Sequence, residues 1–110
     1  MAERRFRVVW AEAAVRDLEE IVGFVASESL SSAERLLGTL RTKAASLEMV
    51  PLRGRVVPEL AHFGMRSWRE LSVRPSRVVY GVSRDTVTVL AVFDGRRELE
   101  DVLLERLLRS

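Results

Sequence analysis

Three runs decide the fold. They are Arg66-Ser-Trp-Arg-Glu-Leu-Ser-Val73, Ser76-Arg-Val-Val-Tyr-Gly-Val-Ser83 and Thr86-Val-Thr-Val-Leu-Ala-Val-Phe-Asp-Gly-Arg-Arg97. Each holds a strand-length stretch rich in β-branched or aromatic residues. Pro75-Ser76 and Arg84-Asp85 separate them. Links that short predict an antiparallel meander. In the middle run Val78, Tyr80 and Val82 share one face, and Arg77, Val79 and Gly81 the other. In the last run strict alternation places Val87, Val89, Ala91 and Phe93 on one face and Leu90 and Val92 on the other. Both faces are apolar, which predicts a central strand covered on both sides.

The meander is also where the positive charge gathers. From Pro51 to Arg97 there are nine Arg against four acids, while residues 1–50 carry seven bases against eight acids and residues 98–110 two against four. The overall charge of +2 therefore conceals a basic sheet between two slightly acidic helical ends. Such a patch is an electrostatic footprint for phosphate or for an acidic protein. All but one of the bases are Arg, Lys43 being the exception. Guanidinium forks grip carboxylate and phosphate in bidentate fashion but do not give up a proton near neutrality.

Upstream, Phe6, Val8 and Trp10 alternate and predict a short first strand. From Ala11 to Ser29 the period changes. Ala14, Leu18, Ile21 and Val25 fall at helical spacing, with Asp17, Glu19 and Glu20 off the stripe, the mark of an amphipathic helix. Ser31 and Glu34 have the spacing of a capping box. The helix after them carries Ala33, Leu36, Leu37, Leu40, Ala44 and Leu47 on one stripe and must stop before Pro51. Residues 52–64, punctuated by Gly54, Pro58 and Gly64, read as loop. The chain turns helical again from Glu98 to Arg109, where Leu99, Val102, Leu103, Leu104, Leu107 and Leu108 form a wide apolar stripe. Part of it packs on the sheet; the rest is either tucked in too or left for a partner or a second copy of the chain. The predicted fold class is α+β in the order β-α-α-β-β-β-α. It has a small, mainly antiparallel four-stranded sheet covered by an N-terminal helical hairpin, with a C-terminal helix, all in one domain spanning residues 1–110.

The 110 residues suffice for one core. The chain has no cysteine and a single histidine, His62. Thiolate zinc sites, disulfides and histidine-based metal sites are thereby excluded, and no metal or other cofactor is expected. The charged N-terminus lacks the apolar stretch of a signal peptide, and no run approaches a membrane span. The expectation is a cytoplasmic protein.

In this order the segments resemble the ParE/RelE superfamily, the toxins of type II toxin–antitoxin modules. Val9-Trp10 with Ala13-Ala14 and Asp17-Leu18-Ile21 resembles the family's opening strand and helix. Pro51 followed by Gly54-Arg55-Val56-Val57-Pro58-Glu59-Leu60 resembles the ParE-type loop. Arg66 to Leu71 and Ser76 to Tyr80 resemble its arginine-bearing strands. Val89 to Phe93, followed by Asp94 to Glu100, resembles its last strand and the turn into the tail helix. The resemblance implies a growth-inhibiting toxin held inactive by a cognate antitoxin, which would lie across the basic sheet and beside the tail helix. ParE-like members poison DNA gyrase, whereas RelE-like members cut mRNA in the ribosomal A site.

Residue chemistry bears on that choice. RNA cleavage through the 2′-hydroxyl needs a base, an acid and cationic donors around the phosphate. Arg55, Arg66, Arg77, Arg96 and Arg97 supply donors in plenty, but proton carriers are scarce. Asp94 stands where many relatives place histidine, Lys43 is on the second helix, and the C-terminus Leu107-Leu108-Arg109-Ser110 has no aromatic residue. The expectation is a gyrase-binding, ParE-like toxin. The alternative is a ribosome-dependent endoribonuclease using Arg66, Glu70, Tyr80, Asp94 and Arg96. A third reading is a weakened toxin that survives as an antitoxin-binding partner. Target or antitoxin contacts are expected at Arg55, Arg66, Trp68, Arg77, Arg96, Arg97, Leu103 and Leu107. Each also has a plain reading: Tyr80 and Trp68 as packing residues, Asp94 as a turn former, Arg96 and Arg97 as anchors of the tail helix.

Overall fold

The computed structural model describes residues 4–95 and 100–109, with the Asp101 side chain left out. The predicted site residues Arg96 and Arg97 lie outside the described residues, as do Glu98 and Leu99 at the start of the predicted tail helix. The elements are β1 (Arg7–Trp10), α1 (Glu12–Ala26), α2 (Leu30–Ala45), β2 (Arg55–Val56), α3 (Pro58–Ala61), β3 (Trp68–Val73), β4 (Ser76–Ser83), β5 (Thr86–Asp94) and α4 (Glu100–Arg109). A 3-10 turn, Ser46–Glu48, extends α2.

The sheet order is β1-β5-β4-β3-β2. The meander β3-β4-β5 is antiparallel, with Leu71 opposite Val78 and Val78 opposite Val92. β1 joins β5 in parallel, Arg7 lying opposite Thr86. The sheet thus has five strands rather than four. The added one, β2, falls in the stretch assigned to loop and pairs Arg55 with Glu70 and Val56 with Arg69. The one-turn α3 follows it. Pro58 sits at its start, where a missing N–H costs nothing, and the flanking Val57 and Leu60 are fully buried. Burial, not propensity, orders this loop.

Both sheet faces are covered. On one, α1 and α2 bring Ala14, Leu40 and Leu47 against Leu71, Val73, Val78, Tyr80, Val87, Val89 and Val92. On the other, Val57, Leu60 and Leu103 cover Val79, Leu90, Ala91 and Phe93. The faces of β5 are not those of strict alternation. A register shift faces Val79 to Ala91 but Tyr80 to Val89, leaving Leu90 as an extra residue. Such a bulge reverses the parity of everything beyond it. Val92 consequently joins Val87 and Val89, and Leu90 joins Ala91 and Phe93.

Helix α2 is capped two residues earlier than the Ser31–Glu34 capping box predicts. Ser29 is its cap and accepts a hydrogen bond from the Ser32 N–H at 3.2 Å. In α4, Leu103 is fully buried and Leu104 and Leu107 pack beside it, while Leu108 is 87% exposed. Most of the described apolar stripe is therefore core.

The open flank of β5 has its own closure. β1 ends at Trp10, where the chain turns away into α1. Beyond that point Asp17 of α1 accepts the Val92 N–H at 3.0 Å, and Arg106 of α4 donates to the Leu90 carbonyl at 3.3 Å. The two side chains also pair, at 2.9 and 3.2 Å. Arg106 further lies over the Phe93 ring, 5.5 Å from its centroid. One ion pair so satisfies the backbone that β1 leaves bare.

Candidate functional site

Where the β3–β4 turn, the loop before β2 and the end of α2 meet, an open cleft of about 710 Å³ forms. Lys43, Arg53, Arg55, Arg74 and Arg77 line it, and Glu70 is its one acidic residue. The cleft rim is built tightly. The Gly54 N–H donates to the Tyr80 hydroxyl at 2.9 Å, and Arg69 donates to the Gly54 carbonyl at 2.8 Å. A Cβ at Gly54 would stand 2.4 Å from the Glu70 carbonyl oxygen and 2.7 Å from the Tyr80 hydroxyl. Only glycine lets this loop lie so close to β3 and β4.

Arg77 is the centre of the floor. Its Nη1 and Nη2 reach the two Glu59 oxygens at 2.7 Å each. Its Nε donates to Glu70 at 2.8 Å, and its Nη2 also meets the other Glu70 oxygen. Arg55 reaches the same Glu70 carboxylate from solvent at 3.4 Å. Two arginines thus face two carboxylates, and four of the five Arg77 N–H donors are committed. The Glu70 side chain is 2% exposed and that of Arg77 11%. The hydrogen bonds that Arg77 donates to Glu59 and Glu70 drive its pKa still higher than usual, against the opposing effect of burial. The same bond to Arg77 holds the Glu59 carboxyl below its ordinary value. Burial pushes the Tyr80 phenol upward, partly offset by its bond to Gly54.

The predicted site residues separate into groups. Arg55, Glu70 and Arg77 come together in the cleft. Tyr80 is fully buried beneath it. Asp94 ends β5 opposite Ser76, half-buried, and the next residue, Gly95, lines the cleft. Arg66 is exposed ahead of β3. Trp68 lies over Gly81, where a Cβ would meet its ring at 2.8 Å, and packs with the second core cluster. Leu103 and Leu107 belong to that cluster too. Sequence reasoning did not place Lys43, Arg53 or Arg74 at the cleft and did not pair Glu59 with Arg77. The meander register carried one usable signal: Arg77 opposite Ser72 leaves Glu70 as a diagonal neighbour on β3. Among the described residues, no cluster of three His, Asp or Glu is arranged to hold a metal.

A helical hairpin and a tail helix on opposite faces of a five-stranded sheet, with a basic cleft at one corner, define a small toxin fold of the ParE/RelE kind. The family model for the ParE toxin of type II toxin–antitoxin systems, parDE, matches residues 8–99. The chain belongs to that family. Among solved structures it is similar to the chromosomal ParDE system from P. aeruginosa, with a TM-score of 0.64 and 17% identity, covering 83% of this chain and 97% of that one. It is also similar to the toxin–antitoxin complex RelBE2 from Mycobacterium tuberculosis, with a TM-score of 0.61 and 20% identity, covering 84% and 94%. No curated protein matches the sequence significantly. Among the described residues no helix is long and apolar enough to cross a membrane.

Proposed function

We propose that this toxin acts by binding rather than by cutting: it seizes DNA gyrase in the cytoplasm and is neutralised by a cognate antitoxin. The observation that carries this reading is the state of the cleft floor. A nuclease needs cationic donors free to meet a scissile phosphate and a proton carrier beside it. Here Arg77 spends four donors on Glu59 and Glu70, and the Tyr80 hydroxyl is sealed under Gly54. The cations that remain outward, Arg53, Arg55 and Arg74, suit contact with an acidic protein surface.

The antitoxin reading draws on the family's pairing in parDE and on the sheet edge. β2 covers β3 only at Arg69 and Glu70, so Leu71 to Val73 have no strand beyond them among the described residues. An exposed edge beside a basic cleft fits strand addition by an extended acidic segment. Protection of the Ser72 amide from hydrogen exchange in the complex is the expected result, since Leu71 and Val73 face β4 already, and unchanged exchange there overturns this placement.

The target is decided by two assays on antitoxin-free protein. Gyrase-linked DNA breaks without mRNA cuts are the expected outcome. Cuts in mRNA on programmed ribosomes would overturn it and return Glu70, Tyr80 and Asp94 to the role of proton carriers. Neither activity, with antitoxin binding intact, would leave a weakened toxin that serves as an antitoxin partner.

A further inference from the structure

The cleft does not end at its rim. Two further depressions continue it along α2, one sharing Lys43 and Arg53 with the cleft, the next sharing Arg35 and Thr39 with the second and Arg74 with the cleft. The result is a continuous track edged by Arg35, Thr39, Lys43, Ser46, Arg53 and Arg74. Its only acidic residue is Glu70, already bound by Arg77. Arg35, Lys43 and Arg74 form no ion pair with any described carboxylate. Helical geometry makes this a one-sided arrangement. Arg35, Thr39, Thr42, Lys43 and Ser46 fall on one flank of α2, whereas Arg41 and the acid Glu34 fall on the other.

We propose that this track binds the phosphodiester backbone of duplex nucleic acid, DNA in the toxin's working context, without reading its sequence. The outward guanidinium and ammonium groups of Arg35, Arg74 and Lys43 are groups that contact phosphate oxygens, while the Thr39 and Ser46 hydroxyls donate to helix carbonyls. Arg35 and Lys43 stand about 12 Å apart along the helix axis, the rise of roughly three to four base pairs. The exposed aromatics Phe24 and Phe63 lie elsewhere. With no ring on which to stack a base, the track lacks what single strands require and presents only backbone contacts. The track shares Lys43, Arg53 and Arg74 with the cleft but not the Arg77 floor, and it rests on the gyrase reading only in naming DNA as the duplex.

The test is anisotropy of a short labelled DNA duplex of arbitrary sequence titrated with the full chain, free of antitoxin, over a range of salt. Binding that weakens linearly in log–log form is expected. The R35Q/K43Q double variant should lower the magnitude of the slope by about 1.8, at ~0.9 per phosphate contact, while R41Q leaves it unchanged. Melting curves like those of the unaltered protein, expected because these side chains pair with no described carboxylate, show the variants folded; should the double variant fail to fold, the single variants R35Q and R74Q carry the same comparison. Failure to bind duplex at low salt, equal loss in R41Q, or tighter binding of polyglutamate than of duplex at the same salt would overturn the proposal. Binding of an RNA duplex but not DNA would overturn the DNA assignment. The assay contains no gyrase, so its outcome is independent of the gyrase reading.

Discussion

Arg77 and Arg106 do similar work in different company. Each ties together parts of the chain that are distant in sequence through paired carboxylate bonds. Arg106 meets Asp17 where β1 gives out, and both side chains also serve the bare backbone of β5. Arg77 meets only carboxylates, Glu59 and Glu70, at the floor of the cleft. The first pair substitutes for a missing strand. The second neutralises charge that the fold itself has brought together. Removing an arginine therefore means different things in the two places. In one, the deficit is the Leu90 carbonyl and an Asp17 carboxylate that still holds the Val92 N–H; in the other, it is a Glu70 carboxylate left with the solvent-facing Arg55 alone.

The sharpest break of the comparison is Arg77→Met. It leaves Glu70, almost without solvent, with only the exposed Arg55 at 3.4 Å, and should cost roughly 3–5 kcal/mol in chemical denaturation. The double change Arg77→Met with Glu70→Leu should recover much of that loss, because the carboxylate then left without Arg77 is the more exposed Glu59. If the single and double variants are equally unstable, the network is not electrostatic in the sense argued. Arg106→Met or Asp17→Ala should cost less, about 1–3 kcal/mol, the range for a lost charged hydrogen bond and an exposed backbone group. An Arg106→Met effect as large as that of Arg77→Met would erase the distinction.

Glu59→Gln is milder still, about 1 kcal/mol, since the amide keeps one acceptor for Arg77. Its effect should depend on pH. Because the folded Glu59 carboxyl lies below its ordinary 4.5, the stability it contributes is complete above that value and fades as pH falls through the folded pKa. The melting difference between the unaltered protein and Glu59→Gln should be constant near neutrality and shrink below about pH 4.5. A constant difference down to strong acid would deny the coupling. The smallest change serves as a reference away from both networks. Arg84 opens the β4–β5 hairpin at φ 58°, so Arg84→Gly should stabilise by about 0.5 kcal/mol through relief of left-handed strain. A loss of stability there would show that the bond from Arg4 to the Arg84 carbonyl, at 2.9 Å, depends on the arginine backbone geometry.

The meander was legible because β-branched runs and two-residue links leave few alternatives, and α1 and α2 because their apolar spacing is helical. The bulge at Leu90 was not. Val87 to Phe93 is apolar on both faces, so a one-residue slip in parity leaves no trace in the pattern. β2 was hidden for another reason: two residues between Gly54 and Pro58 become a strand only because β3 offers them an edge. At the site, Arg55 and Arg77 were visible as cations on the sheet. That Arg77 would be consumed by Glu59, and that Lys43 would swing to the cleft from the end of α2, depends on tertiary placement that no local spacing encodes.

The pairing of β1 with β5 has a consequence for synthesis. Among the described residues the first strand pairs only with Thr86 to Val89, about 80 positions further on. A nascent polypeptide emerging from the ribosome cannot complete this sheet, or set Asp17 against Val92, until residues 86–92 have been made. Truncated products of an interrupted message would therefore lack the assembled cleft. The cleft comes into being late, after the segment that separates Trp10 from Thr86 has been made.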